Sequence, residues 1–229
     1  MTHASHSIRM MRSTRPVSYR EALAVMTREA EAIANGQADD LLWFLEHPSL
    51  YTMGARTRPE HMPVRSNFPI YEADRGGEVT YHGPGQRIVY AMLDVRRHAG
   101  GDVRAFVRLL EACVIGALDN LGVAAHGDAA RPGVWVRRAD LPGGEAKIGA
   151  LGLKVRRGVS LHGLSLNISP DLSHFAAIVP CGLEGAAVTS LAALGAEADM
   201  EIVDNALIGS FSEHLGPLRT VPDAAAGVR

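Results

Sequence analysis

The sequence has little cysteine, no surplus of charge and no long apolar run, and each shortage excludes something. Cys113 and Cys181 are the only cysteines in 229 residues. Two cysteines make no disulfide framework, and a chain of this length does not need one to hold a core. The formal net charge is -2, from 23 Lys and Arg against 25 Asp and Glu. A protein built to track phosphates along nucleic acid carries a strong basic surplus, so no nucleic-acid partner is expected. The Arg137-Arg138 and Arg156-Arg157 pairs read as solvated hairpin tips or as a local patch for an acidic partner. No apolar run reaches the roughly eighteen residues of a membrane helix. The opening Met1 to Pro16 is polar and lacks the apolar middle of a secretory signal, so a cytoplasmic protein is expected.

Common site signatures are missing too. The P-loop pattern does not occur. Gly83-Pro84-Gly85 begins like a dinucleotide fingerprint, but Ile88 stands where its third glycine belongs. The ten histidines are scattered without zinc-helix spacing, and two lone cysteines make no zinc knuckle, so no metal or cofactor is implied. No internal repeat or low-complexity linker divides the chain. The expectation is a mobile arm over residues 1–16, one domain over 17–216 and a mobile tail over 217–229.

What is present is order of an α+β kind. Ser18 to Glu21 has the form of a capping box, and Tyr19, Leu23, Met26, Ala30 and Ile33 follow on one helical face until Asn35-Gly36. Leu41–Leu45 is a short apolar run that suits a buried strand, and Leu50–Met53 resumes it after His47-Pro48. Arg56 to Pro69 reads as a long loop. Asp102 caps the clearest helix, whose stripe runs from Val103 to Leu121 with Cys113 beside it as a small buried hydrophobe. Lys147 to Val155 and Val159 to Ile168 form a hairpin turning at Arg156-Arg157-Gly158. On its second arm Ser160, His162, Leu164, Leu166 and Ile168 alternate with Val159, Leu161, Gly163, Ser165 and Asn167. A last helix runs from about Met200 to Leu215. Strands in antiparallel groups with helices between predict a mixed, largely antiparallel sheet flanked by helices.

One stretch concentrates binding potential: Arg75, Gly76, Gly77, Glu78, Val79, Thr80, Tyr81, His82, Gly83, Pro84, Gly85 and Gln86. Its glycines let backbone approach a ligand, and the alternation at Val79 to His82 suits a short strand showing Thr80 and His82 to one face. For the chemistry, Cys181 lies between Pro180 and Gly182, outside any helix or strand pattern. It is either a plain loop cysteine or a nucleophile. A free thiol with a pKa near ~8.5 needs a cation or base beside it to react. Lys147 opens an apolar, glycine-rich strand and is either solvated at the strand mouth or a buried charge that supplies this need. His82 and His162 are further partners, or histidines with structural hydrogen bonds.

These residues resemble the lipoyl(octanoyl) transferases, which are related in fold to the lipoate and biotin protein ligases. The Arg75 to Gln86 run followed by Tyr90 carries the resemblance. So do His47 to Gly54, Lys147 to Gly152 with Ser160 to Asn167, and Pro180 to Leu183, all in the same order. The resemblance covers roughly residues 18 to 215. It implies the transfer of an octanoyl or lipoyl group from acyl carrier protein to a lysine of lipoyl-carrier domains. Those domains belong to the 2-oxoacid dehydrogenase complexes and the glycine cleavage H protein. It implies Cys181 as the nucleophile and Lys147 as the residue that lowers its pKa. It places the acyl group against Arg75 to His82, against Ala150, Leu151 and Gly152, and against Gly163, Leu164 and Ser165. Glycines 149, 152 and 163 are expected either to clear a slot for the chain or to mark bulges. A monomer is expected. The alternatives are an ATP-dependent lipoate or biotin ligase, an acyl thioesterase, and a non-catalytic binding module.

Overall fold

The computed structural model describes residues 7–63, 66–141, 143–178, 187–196 and 199–225. Twelve strands and four α-helices are named here. The strands are β1 (Ile8–Arg12), β2 (Leu41–Leu45), β3 (Leu50–Met53), β4 (Ile70–Glu72), β5 (Thr80–His82), β6 (Gln86–Met92), β7 (Ala125–Gly127), β8 (Val134–Arg137), β9 (Glu145–Arg156), β10 (Val159–Asn167), β11 (Ala187–Val188) and β12 (Leu218–Thr220). The helices are α1 (Tyr19–Ala34), α2 (Val95–Ala99), α3 (Val103–Asn120) and α4 (Met200–Leu215).

The main sheet runs β12-β1-β2-β6-β10-β9-β8-β7, with β11 also pairing to β9. The pairs from β2 through to β7 are antiparallel, whereas β1 pairs in parallel with β2 and β12. A small sheet, β4-β3-β5, stands apart from it. This is the mixed, largely antiparallel α+β architecture expected.

The continuous apolar run of β2 has a simple cause: helices cover both faces of the central sheet. Leu42 and Phe44 join Val89, Ala91, Leu164 and Leu166 in a core closed by α3 and α4. Leu41, Trp43 and Leu45 join Ile88, Tyr90 and Met92 in a second core closed by α1. Successive residues of a strand point to opposite faces, so a strand buried on both reads as unbroken hydrophobicity. Each large side chain buried there contributes about 1.5–3 kcal/mol. The helix starts follow their caps. Ser18 accepts from the Glu21 N–H at 3.3 Å, and Asp102 accepts from Arg104 and Ala105 at 2.8 and 3.1 Å. The Ser18 box is only half made, because the buried Glu21 Oε1 has no partner.

Two expectations are corrected. The stretch 1–16 is not a loose arm throughout: Ile8–Arg12 is a strand inside the sheet, and Ile8 and Met11 are buried. Nor is the tail loose from 217 on. Leu218–Thr220 pairs with β1, and Ala225 is buried among the residues that pack on α1. These strands join sequence-distant segments in parallel, so neither carries a turn or a local repeat that would announce it. Helix α2, capped by Asp94, is too short to show a helical period in the sequence. Among the described residues no helix is long and apolar enough to cross a membrane.

Candidate active site

A cavity of about 1090 Å³ opens where the glycine segment lies over β9 and β10. The glycine segment is moulded by its own arginine. Arg75 is buried, and its guanidinium donates to the carbonyls of Gly76, Glu78 and Thr52 at 3.0, 2.9 and 2.8 Å and to Thr52 Oγ1 at 2.7 Å. Gly76 N–H donates to Leu153 O at 2.9 Å, which docks the segment on β9. The contact needs Gly152, where a Cβ would lie 2.9 Å from Arg75 Cδ and 3.1 Å from Gly76 O.

Histidines form one wall. His82 Nδ1 lies 2.7 Å from Gln86 Oε1, so Nδ1 carries the proton. Gln86 Nε2 donates to Asn167 Oδ1 at 2.8 Å, and Asn167 Nδ2 donates to Thr189 O at 2.9 Å. His47 donates from Nδ1 to Val17 O at 2.6 Å, and its Nε2 accepts from the Tyr90 hydroxyl at 2.7 Å. Burial lowers the pKa of His47 to about 4, against the pull of the Val17 carbonyl. Burial lowers His82 to about 3, reinforced by neighbouring His47 and opposed by the Gln86 bond. His162 is also shifted down by burial, against its partner Asp74 at 2.9 Å. The wall is therefore uncharged at neutral pH.

His162 breaks the alternation read from the sequence, which puts it on the face of Leu164. It has φ +62°, in the left-handed region rarely used by non-glycine residues, and its side chain lines the cavity. The β6 ladder is interrupted there, and the Ser160 hydroxyl substitutes for it by donating to Ala91 O at 2.6 Å and accepting from Leu93 N–H at 3.1 Å.

The opposite part of the cavity is built around Lys147. It is 6% exposed, so the solvated reading fails. Its Nζ donates to Pro132 O at 2.9 Å and lies 4.6 Å from the centroid of the Trp135 ring. Gly133, at φ +140°, makes room: a Cβ there would stand 2.8 Å from Lys147 Cε and 2.9 Å from Nζ. Glu111 accepts from Gly133 N–H at 2.7 Å. Its pKa is raised by burial, moderated by that N–H and by the Lys147 charge. Sequence reasoning missed Glu111, although an acid four residues after Val107 on an apolar helix stripe was a usable signal.

Of the residues expected at the site, Arg75 to Thr80, His82, Lys147, Ala150 to Gly152 and Gly163 to Ser165 all line this one cavity. Tyr81 does not. Its ring is turned into a cluster with Tyr51, Phe175 and Ile178, as alternation along β5 requires. Cys181 lies outside the described residues. Of the two readings left open for the glycines, Gly152 and Gly163 line the cavity, and the β8–β9 register shifts beside Gly149 as at a bulge. A Cβ on Gly163 would collide with the Val89 carbonyl of β6, and one on Gly149 would lie 3.2 Å from Ser165 O. These glycines let backbones close up.

The lipoyl protein ligase A/B catalytic domain matches residues 18–212. The chain belongs to that family. It is 49% identical over 224 residues to the octanoyltransferase of Novosphingobium aromaticivorans, covering 97% of this chain and 99% of that protein. It is also 49% identical to the octanoyltransferase of Zymomonas mobilis, over 88% of this chain and 92% of the relative. Among solved structures, lipoate-protein ligase A bound with ATP superposes with a TM-score of 0.73 at 20% identity, covering 94% of this chain and 89% of that one. A putative lipoate protein ligase from T. acidophilum gives 0.68 at 21% identity, over 94% and 89%. At such identities these structures speak for the fold alone.

Proposed function

We propose that this member of the family carries an octanoyl group from acyl carrier protein to the lysine of a lipoyl-carrier domain by way of a thioester on Cys181. The chain is an acyltransferase of protein lipoylation, as its family and its octanoyltransferase relatives near half identity establish. The donor and the covalent intermediate are the further steps proposed.

The observation that carries them is the placement of Lys147. A buried amine faces the cavity, and β11 pairs beside it, Val188 opposite Lys147. Cys181 lies seven residues before Val188, within about 25 Å of chain even if fully extended. On the other side of Cys181, Ile178 is buried against Tyr81 and Val79 of the glycine segment. Ile178 and Val188, the described residues nearest Cys181 on either side that make these contacts, thus meet the glycine segment and the Lys147 strand, which supports the reading that Cys181 works with Lys147.

In the first step the Cys181 thiolate attacks the thioester carbonyl, and the carrier's thiolate leaves. One thioester is exchanged for another, so the step is nearly level and needs no ATP. In the second step the carrier lysine amine attacks the acyl-enzyme. The C–N bond forms, the C–S bond to Cys181 breaks, and amide formation drives the transfer. Lys147 serves as an ammonium that stabilises the thiolate or as an amine that accepts the proton, and the two states are coupled. Arg75 shapes the wall by holding its backbone, and burial of the chain rewards each CH₂ by about 0.8 kcal/mol. The enzyme acts as a cytoplasmic monomer in this reading.

The test is product analysis with octanoyl acyl carrier protein and a lipoyl domain, without ATP. An octanoylated lysine supports the proposal. Free octanoate indicates a thioesterase, and a requirement for ATP indicates a ligase.

A further inference from the structure

The cavity mouth has a charge that the rest of the chain does not. Among the described residues, seven Arg and Lys side chains line the cavity against three Asp and Glu, in a protein whose net charge is -2. Three of the seven are committed inside: Arg75 to backbone carbonyls, Lys147 to Pro132 and Trp135, and Arg131 to Asp128 and Glu145. The other four are Arg56 and Arg58, after β3, and Arg104 and Arg108, on the first two turns of α3. All four are exposed, and none makes a side-chain hydrogen bond or ion pair among the described residues.

Folding does not account for this arrangement. Arg104 and Arg108 stand four apart on one helix, where like charges repel; Asp102 beside both, and Glu111 beside Arg108, offset this through space without forming an ion pair with either. Val103 beside them is 43% exposed, one of the few large hydrophobic residues so exposed among the described residues. An exposed apolar residue among unpaired arginines, at the mouth of the reaction cavity, is the composition of a docking rim. Glu60, two residues from Arg58, is the nearest acid in sequence on that loop.

We infer that Arg56, Arg58, Arg104, Arg108 and Val103 form the surface on which an acidic protein face docks to deliver the acyl thioester. This rests on the transferase reading above, which requires a protein-borne donor. The charges are divided between two chain segments and, although they line the cavity, remain exposed. That suits an extended acidic surface better than a single phosphate. Such a rim acts mainly on encounter: opposite charge raises the association rate, and salt screens it over about 8–10 Å.

The test compares kcat/KM for acyl-enzyme formation from octanoyl acyl carrier protein, octanoyl coenzyme A and octanoyl pantetheine. It uses wild type, Arg104→Glu/Arg108→Glu and Arg56→Glu/Arg58→Glu, with Arg156→Glu/Arg157→Glu at the far β9–β10 turn as the control. Each double reversal is expected to lower kcat/KM for the carrier donor by about tenfold or more and to flatten its salt dependence. The control is not. The value for octanoyl pantetheine is expected to change far less than that for the carrier. Equal losses with all three donors would reduce these arginines to a structural role. Losses shared by coenzyme A and the carrier would point to a phosphate site and overturn the protein-surface assignment, as would no loss with the carrier. Binding of the acyl-free carrier, followed by fluorescence anisotropy, reads the same surface independently of transfer. If wild type forms no acyl-enzyme yet binds the carrier through these arginines, the thioester proposal fails and the surface stands.

Discussion

His82 Nδ1 and Gln86 Oε1 are 2.7 Å apart, and an amide oxygen can only accept. This contact fixes the tautomer with Nδ1 protonated, and burial, against the pull of that same bond, keeps the ring neutral with its pKa lowered to about 3. Gln86→Glu replaces the amide oxygen by a carboxylate, which stabilises the imidazolium. The His82 pKa is expected to rise, and transfer to gain an acid limb at the new value. Nitrogen chemical shifts of His82 across pH check this. A neutral ring protonated on Nε2 in the wild type, or an unchanged titration in the variant, would contradict the assignment.

Gly133 is the second lever. A methyl group there strains a φ of +140° and meets Lys147 Cε and Nζ. Gly133→Ala is expected to lower kcat about a hundredfold, the usual consequence of displacing a reacting group by about 1 Å. Combined with Lys147→Ala it should add little, because both changes remove the same placement. Additive losses would separate Gly133 from Lys147.

Acid should loosen the fold through the buried histidines. His47 and His82 have folded pKa values of about 4 and about 3, below the ordinary ~6.5 of the unfolded chain. A depressed folded pKa gives stability that is full above ~6.5 and is lost as pH falls through the folded value. The Tm is therefore expected to drop between about pH 6.5 and pH 4, and His47→Gln to drop less steeply. Equal acid sensitivity in that variant would assign the loss to other groups.

The two cysteines should differ in reactivity. Cys113 is buried in α3 against the main core, and burial pushes its thiol up to about 12. Iodoacetamide on the folded protein at neutral pH is expected to modify Cys181 and leave Cys113 intact. Peptide mapping reads the outcome, and native labelling of Cys113 would contradict its buried placement.

Much of this molecule is legible from local pattern. The two-sided burial of β2, the capped start of α3 and the β9–β10 hairpin all follow from spacing and turn residues. The parallel strands β1 and β12 do not, since their pairing joins chain ends some two hundred residues apart in rough count. His162 defeats the alternation rule because one left-handed residue redirects its side chain. Arg75 reads as a ligand contact in sequence, whereas most of its donors serve the backbone around it. The glycines read as a slot or as bulges, and the close backbone contacts they also permit have no signal of their own in sequence.

The central claim is a thioester on Cys181, and intact mass tests it most directly. Wild-type protein incubated with octanoyl acyl carrier protein should gain one octanoyl group. The gain should map to Cys181, vanish in Cys181→Ser and slow strongly in Lys147→Ala. An octanoyl group on Cys113, or transfer to the lipoyl domain at full rate by Cys181→Ser, would contradict the account.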